Sequence, residues 1–340
     1  MKKLSCLCLS LCLLLCSCAI HPGTARKQYN ATFLTLFDTV TTIVGFAEDQ
    51  EAFQAQAQSI HDTLLVYHQL FDIYNTYPDI HNLKTVNDNA GIAPVAVDKA
   101  IIRLLQDCKR YYELTDGKVN VAMGSVLKLW HDARNDGIRD PLNAYLPDSA
   151  ALAEAALHTD FDAVVIDEAA STVYITDPKI SLDVGAIAKG WATQRAAESA
   201  PKGMLISVGG NICATGPKQE DGTPWIIGIQ NPDGGDNLHT LYVRGGAVVT
   251  SGDYQRTYTV EGKQYHHIID PETNMPAVFW RSVTVLCEDS GLADALSTAL
   301  FVLDLEQGKA LAQQCGAEVL WVNAAGEEFM TAGLQELIRT

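Results

Sequence analysis

Between residues 204 and 260 the chain passes through a series of short strand-like segments with no helical pattern between them. These segments are rich in β-branched and aromatic residues and are separated by glycine and other turn residues. They occupy residues 204–208, 225–230, 240–243, 247–250 and 254–260. Strands that follow one another through short turns pair antiparallel, whereas parallel strands need a long crossover, usually a helix. The sequence therefore predicts an α+β fold with largely antiparallel sheets and packed helices.

Helical patterns flank this series. Residues 48–74 carry apolar side chains at steps of three and four residues, which is typical of an amphipathic helix. Asp98 is expected to cap a second helix that ends at Gly117. The polar segment 75–93 between these helices contains proline, asparagine and glycine and predicts a long loop. Further elements are predicted at residues 32–46 (one strand, or two that meet near Asp38), 161–166 and 172–176 (a hairpin), 281–286 (strand), 292–303 and 305–315 (helices) and 317–322 (strand).

The N-terminus predicts a lipoprotein signal peptide. Lys2 and Lys3 precede an apolar run at residues 4–15, which is too short to span a bilayer comfortably. The Leu-Cys-Ser-Cys sequence that ends at Cys18 resembles a bacterial lipobox, in which the last cysteine is lipidated; a plain signal peptide cut near the same place is the alternative. The predicted organisation is a signal peptide at 1–17, a tether at 18–30 and one domain at 31–340. The domain would then be anchored through Cys18 on the extracytoplasmic face of a bacterial membrane.

The charge balance restricts the partners of this chain. Lysine and arginine number 24 against 41 aspartate and glutamate, a formal net charge of −17. Such a surface repels nucleic acid, so nucleic acid is excluded as a partner. A phosphate compound would have to be bound locally, by few basic groups and a cation. Beyond the leader, Cys108, Cys213, Cys287 and Cys315 show no metal-site or redox spacing; free thiols are expected, with a disulfide the open alternative.

The segment SLDVGAIAKGWA contains the first candidate for chemistry. Asp183 ends a strand-like stretch, Gly185 makes the turn, and a helix of small residues follows over 186–197. A helix N-terminus binds phosphate well through its free amide groups and its dipole. Lys189, in the first turn, is disfavoured by that dipole unless an anion faces it. The alternative is that Lys189 is solvated at little cost.

Two further candidates lie near the C-terminus. Asp294 and Thr298 stand four residues apart on the predicted helix 292–303 and share one face, with Ser297 beside them. One carboxylate with neutral oxygens is a hard donor set that suits Mg²⁺; the alternative is that Asp294 is only a favourable charge near a helix start. His267 precedes an apolar strand and an Asp-Pro turn and is a candidate proton acceptor, or a structural histidine. His266 is expected to face solvent.

Taken together and in this order, these motifs resemble the ApbE family, whose members are FAD:protein FMN transferases. The resemblance covers nearly all of the chain beyond the leader and rests on the segments FDTVTT, GKVNVAMGSVLKLW, SLDVGAIAKGWA, SVGGN, VVTSGDY, YHHIIDPETNMP and LADALSTALFV. It implies a T-fold-like architecture with the FAD site in a cleft between two subdomains. It also implies Mg²⁺-dependent transfer of FMN from FAD to a threonine or serine hydroxyl of an exported acceptor protein, with release of AMP.

The resemblance assigns roles residue by residue. The Ala186 carbonyl and the Asp294 and Thr298 side chains would bind the metal, and His267 would activate the acceptor hydroxyl, with Asp183 or the metal as rivals. The positions that match FAD contacts are Phe37, Tyr74, Lys118, Val119, Asn120, Asp183, Lys189 and Ile268. This chain departs from the family pattern at three places: many members have aspartate where Asn120 stands, Gly-Pro at 124–125 and Thr-Gly at 273–274.

Two other functions fit the same residues. A Mg²⁺-dependent FAD pyrophosphatase would use water in place of the acceptor hydroxyl and give FMN and AMP. A non-catalytic flavin-binding surface lipoprotein would need no metal, so Asp294 and Thr298 are the residues that distinguish it from an enzyme.

Overall fold

The computed structural model describes residues 26–339. Its first elements are strands β1 (Lys27–Leu36) and β2 (Thr39–Ala47), an antiparallel hairpin. Phe37 and Asp38 form the turn, and both have positive φ angles, of 52° and 51°. The two-strand alternative for residues 32–46 is therefore correct. Residues 27–30, the end of the predicted tether, pair with β2 as part of β1.

The predicted signal peptide at 1–17 and the lipidation site Cys18 lie outside the described residues. Within 26–339, none of the helices combines the length and the apolar character needed to cross a membrane. The four cysteines of this part of the chain are free thiols, of which Cys108 and Cys213 are buried.

The segment between the first two long helices differs from its prediction. α1 (Gln50–Phe71) is capped by Asp49, and α2 (Leu83–Asp88) lies within the predicted loop 75–93. α2 forms because the side chain of Asn82 accepts a hydrogen bond from the amide of Thr85, which caps the helix, while Leu83 and Val86 are buried on one face.

The middle of the chain alternates short strands and helices. β3 (Val95–Ala96) precedes α3 (Lys99–Leu114), whose N-cap is Asp98 as predicted. The following elements are α4 (Gly124–Arg139), α5 (Ser149–Ala156), β4 (Val164–Asp167), β5 (Thr172–Ile175), α6 (Ala188–Ser199), β6 (Leu205–Val208), β7 (Asn211–Ala214), β8 (Trp225–Ile229), β9 (His239–Val243) and β10 (Gly246–Gly252).

The C-terminal part completes the sheets. Residues 254–257, predicted as the start of a strand, form an irregular loop ahead of β11. The elements are β11 (Tyr258–Val260), β12 (Lys263–Tyr265), β13 (Ile269–Asp270), β14 (Met275–Pro276), β15 (Ser282–Cys287), α7 (Ser290–Val302), α8 (Leu305–Cys315), β16 (Glu318–Val322), β17 (Glu328–Met330) and α9 (Ala332–Leu337).

One large sheet organises the molecule. Its strand order is β1-β2-β6-β7-β10-β15-β16-β17, and every neighbouring pair is antiparallel. The remaining strands form small antiparallel sheets, of which β3-β5-β4 has three strands. The structure thus confirms the α+β class with antiparallel sheets and packed helices.

The two faces of the large sheet bury different elements. In β10, Ala247 and Val249 belong to the apolar core that contains α7, whereas Val248 belongs to a separate core with β8, β9 and α9. This alternation follows from the two-residue period of a strand. The odd-numbered side chains of β10 therefore point toward the helices, the side on which the candidate site lies.

Candidate active site

A cavity of about 410 Å³ lies beside the first turn of α6, the middle of α7 and the end of β10. All twelve site residues named from the sequence line it: Phe37, Tyr74, Lys118, Val119, Asn120, Asp183, Ala186, Lys189, His267, Ile268, Asp294 and Thr298. These residues come from distant parts of the chain, so the fold brings together what the sequence shows as separate motifs. A cavity of this size is in the usual range for a small-molecule or cofactor site.

Asp294 is the buried carboxylate of the cavity. It lies in α7 with 4% of its surface exposed, and its Oδ2 accepts a hydrogen bond from the backbone N–H of Gly190 at 2.8 Å. The Nζ of Lys189 lies 3.8 Å from the same oxygen. Burial raises the pKa of Asp294, and the nearby Lys189 ammonium opposes that rise. A cation bound here would keep the carboxylate ionised.

Gly190 allows α6 and α7 to approach this closely. A Cβ at this position would lie 2.2 Å from the carbonyl oxygen of Ser290 and 2.5 Å from the Cβ of Asp294. Both distances are far below van der Waals contact, so any side chain would push the helices apart. Glycine at 190 is therefore required for the hydrogen bond to Asp294.

The turn before α6 is fixed by Asp183. This residue is 8% exposed, its Oδ1 accepts the N–H of Gly185 at 2.9 Å, and its own N–H donates to the carbonyl of Val121. Lys189 folds back over this turn, with its Nζ 3.4 Å from the carbonyl oxygen of Gly185 and its side chain only 20% exposed. The ammonium group therefore faces the cavity rather than bulk solvent.

His267 contributes an imidazole that is neutral in the free protein. Its Nδ1 is buried and has no hydrogen-bond partner among residues 26–339. The pKa of His267 is lowered to about 3, chiefly by burial and in addition by the neighbouring Arg256, His266, Lys189 and Arg134. A buried ring nitrogen without a hydrogen-bond partner destabilises a folded protein. The Nδ1 of His267 is therefore suited to accept a proton or a hydrogen bond from a ligand.

His266 does not face solvent, contrary to the prediction. Its Nε2 lies 2.9 Å from the carbonyl oxygen of Ala277, its Nδ1 accepts the N–H of Ile268, and its ring packs edge-on against Phe301. The turn after the Asp-Pro pair folds the chain back over His266. The alternation of side chains along a strand could not predict this contact.

An ion pair and two hydrogen bonds hold the segment from Lys118 to Asn120 in place. Lys118 forms an ion pair with Glu272 in the Asp-Pro turn. The Nδ2 of Asn120 donates to the carbonyl of Thr159, and its Oδ1 accepts the N–H of Ala122, both at 2.8 Å. An aspartate could not make the first of these bonds, so asparagine at this position has a structural reason in this chain.

Sequence reasoning missed several polar residues in and beside the cavity, among them His131 and Arg256, which line it, and Arg134. His131 of α4 lies with its Nδ1 3.2 Å from the hydroxyl of Tyr74 and 3.9 Å from Oδ2 of Asp183. Arg134 lies one turn further along α4, and burial, followed by the positive charge of Arg256, lowers its pKa. Neither arginine forms an ion pair within the described chain. The His-x-x-Arg spacing on a helix was the only sequence signal for this group.

Comparison with known proteins gives three further findings. The model of the ApbE family matches residues 37–321. The FAD:protein FMN transferase of Treponema pallidum (strain Nichols) is 35% identical over 277 residues, which cover 76% of this chain and 75% of the relative. That of Klebsiella pneumoniae (strain 342) is 31% identical over 268 residues, which cover 75% and 80%.

A solved structure also resembles the fold. The crystal structure of the ApbE protein of Thermotoga maritima superposes with a TM-score of 0.81 at 29% sequence identity, covering 92% of this chain and 100% of the other. The mixed architecture of antiparallel sheets and packed helices is thus shared along nearly the full length.

Proposed function

Because the chain belongs to the ApbE family, we propose that it transfers FMN from FAD to a threonine or serine hydroxyl of an acceptor protein and releases AMP. The family match and the relatives named FAD:protein FMN transferase support the reaction. The single structural observation that carries the proposal is the meeting of Asp294, Lys189 and His267 in one cavity. These groups would supply a metal ligand, a cation for phosphate and a proton acceptor.

The cavity fits a hard divalent cation such as Mg²⁺. Among residues 26–339 no three His, Cys, Asp or Glu side chains are grouped so that they could hold a metal. The donor set is instead one buried carboxylate, Asp294, with the hydroxyl of Thr298 and the carbonyl of Ala186, all lining the cavity. This is the composition expected for Mg²⁺, which keeps waters and takes further oxygens from substrate phosphates. When bound, the ion would offset the charge that develops on the phosphate oxygens.

The basic residues of the cavity fit the pyrophosphate of FAD. Lys189 lies beside Asp294, Arg256 lines the cavity, and the charges of Arg256 and Arg134 both act on His267; neither arginine forms an ion pair in the described chain. On a protein with a net charge of −17, these groups form a local positive region that attracts an anionic ligand. We propose that they hold the two phosphates in the orientation needed for attack by the acceptor.

His267 is the proposed proton acceptor in the transfer. The acceptor hydroxyl oxygen forms a bond to the phosphorus on the FMN side, the bond from that phosphorus to the bridging oxygen breaks, and AMP leaves. The proton of the hydroxyl passes to His267. In the free protein the pKa of His267, about 3, is too low for an efficient base. A bound pyrophosphate would offset the positive charges of Arg256, Lys189 and Arg134, which contribute to the low pKa beside burial, so the pKa of His267 would rise when the substrate is present.

The cellular location belongs to the same proposal. A lipid on Cys18 would hold the enzyme at the extracytoplasmic face of the membrane, where an exported acceptor protein is accessible. Globomycin, which blocks lipoprotein signal cleavage, should leave a larger precursor, and Cys18→Ala should release the protein from the membrane fraction. A protein that stays membrane-bound after Cys18→Ala would contradict the anchor.

The activity is tested with FAD, Mg²⁺ and a protein substrate of the Treponema pallidum transferase as the acceptor. Covalent FMN on the acceptor, with AMP in equal amount, supports transfer. Free FMN and AMP without a labelled acceptor would show a pyrophosphatase, and bound FAD without turnover would show a flavin-binding protein.

A further inference from the structure

Two serine hydroxyls meet beside the proposed metal ligands. Ser251 is the sixth residue of β10 and lines the cavity, while Ser297 lies in α7 between Asp294 and Thr298 and is fully buried. Their Oγ atoms are 2.8 Å apart. Ser251 continues the odd-numbered row of β10 that points toward α7, after Ala247 and Val249.

The hydrogen bonds of Ser297 determine the direction of this contact. The Oγ of Ser297 lies 2.9 Å from the backbone carbonyl oxygen of Asp294, which can only accept. A hydroxyl has one proton to donate, so Ser297 gives its proton to Asp294. Both hydrogen bonds can then exist together only if Ser251 donates its own proton to Ser297.

This direction leaves Ser251 without a proton for the cavity. Its Oγ presents lone pairs there and can act only as an acceptor. The partners of such an oxygen are a cation, a water bound to a cation, or another donor. Because Asp294, Thr298 and the Ala186 carbonyl line the same cavity, a hard cation is the partner that uses all of these oxygens.

We propose that Ser251 is a further oxygen of the metal site, which either coordinates the ion through a lone pair or accepts a hydrogen bond from a water bound to it, and that Ser297 holds it in this state. The inference rests on the proposed function, because it takes the Mg²⁺ site as given. It adds a residue from a third element, β10, to a site otherwise built from α7 and the turn before α6. Ser297 is a positioning residue that acts through Ser251 and through the backbone of Asp294.

The test is a titration of the purified domain with Mg²⁺ alone, without FAD or acceptor, by isothermal calorimetry. Ser251→Ala should weaken Mg²⁺ binding by about tenfold or more, which is typical of removing a supporting oxygen at a metal site. Ser297→Ala should weaken Mg²⁺ binding less, because Ser251 keeps its oxygen. Its hydroxyl proton, however, no longer has Ser297 as an acceptor and is free to point into the cavity. The double variant should bind no more weakly than Ser251→Ala.

A neighbouring hydroxyl pair provides the control. Thr250 and Thr284 join β10 to β15 with Oγ1 atoms 2.8 Å apart, and Thr284 is fully buried. Thr284→Val should lower the thermal stability, as loss of a buried hydrogen bond does, and leave the Mg²⁺ affinity unchanged. The comparison distinguishes a general loss of stability in β10 from a specific loss of Mg²⁺ affinity.

The outcomes distinguish the inference from the proposed function. A wild-type protein that binds Mg²⁺ and a Ser251→Ala variant of equal affinity would overturn the inference and leave the enzyme proposal standing. A wild-type protein that binds no divalent cation would overturn the metal site and the inference with it. Equal losses in Ser251→Ala and Thr284→Val would also overturn the inference.

Discussion

The backbone N–H of Gly190 lies 2.8 Å from Oδ2 of Asp294, although the two residues are 104 positions apart in the chain. This hydrogen bond joins the first turn of α6 to the middle of α7. It holds the Asp294 carboxylate beside Lys189, whose Nζ lies 3.8 Å from the same oxygen. Asp294 and Thr298 of α7 both line the cavity. The geometry of the proposed metal and phosphate sites therefore depends on how closely these two helices pack.

Gly190→Ala tests that dependence. The new methyl group would overlap the Ser290 carbonyl and the Asp294 Cβ, so we expect a loss of stability of about 1–3 kcal/mol and weaker Mg²⁺ binding. Thermal unfolding and Mg²⁺ titration measure the two effects. Gly308→Ala in α8 is the matched control, because its Cβ would meet only side-chain atoms, two of the Trp321 ring at 3.3 and 3.5 Å and one of Leu300 at 3.6 Å. An equal loss of Mg²⁺ affinity in both variants would contradict the proposed geometry.

Asp294→Asn should separate stability from activity. Burial raises the pKa of Asp294, so the ionised carboxylate is unfavourable in the folded protein without a metal, and the neutral amide should raise the unfolding temperature of the apoprotein. The same change should abolish both Mg²⁺ binding and FMN transfer. Differential scanning calorimetry without metal and a transfer assay with metal measure the two effects. Full activity in this variant would contradict the role of Asp294.

Arg256→Gln should weaken FAD binding without unfolding the protein. Arg256 is exposed and unpaired within the described chain, so its removal costs little stability but takes one positive charge from the cavity. We expect an increase in the KM for FAD of about tenfold and a weaker dependence of KM on ionic strength. Arg139→Gln is the control, because Arg139 is an exposed arginine of α4 that pairs with Asp136. A similar KM change in both variants would contradict a local role for Arg256.

Histidines in and beside the cavity predict that the fold loses stability in acid. The pKa of His267 is lowered from 6.5 to about 3, and burial also lowers that of His131 and His266. As the pH falls below 6.5, the unfolded chain takes up protons that the folded protein does not, so stability is lost between about pH 6.5 and pH 3. The free energy of unfolding, measured with urea at pH 7 and pH 5, should differ less between the two pH values for His267→Asn than for the wild type.

The control for this measurement is His81→Asn, which removes an exposed histidine that does not line the cavity. It should leave the pH dependence unchanged. A wild-type protein equally stable at pH 5 and pH 7 would contradict the burial of neutral imidazoles.

Much of the fold was predictable because its signals are local. Alternation and turn residues indicate strands that pair with their neighbours, and the N-cap at Asp98 marks the start of α3. α2 was missed because a helix of six residues has too few periodic positions to stand out from a polar segment. Its stability comes from the Asn82 cap and from tertiary burial.

Only those residues of the candidate site that lie in recognisable sequence motifs could be predicted. The motifs named Asp183, Lys189 and Asp294, which meet in one cavity. Arg256 belongs to no recognisable pattern, and the His-x-x-Arg spacing that contains His131 is too common to indicate a site; only the folded chain brings His131 beside Tyr74 and Arg256 into the cavity with His267. The contact between Ser251 and Ser297 was also not predictable, since it joins a strand and a helix 46 residues apart.

The most direct test of the central claim is mass spectrometry of an acceptor protein after incubation with this enzyme, FAD and Mg²⁺. We expect an FMN adduct on one threonine or serine of the acceptor, formed by the wild type and absent with Asp294→Ala. An unmodified acceptor in the presence of the wild-type enzyme, or an adduct formed equally well by Asp294→Ala, would contradict it.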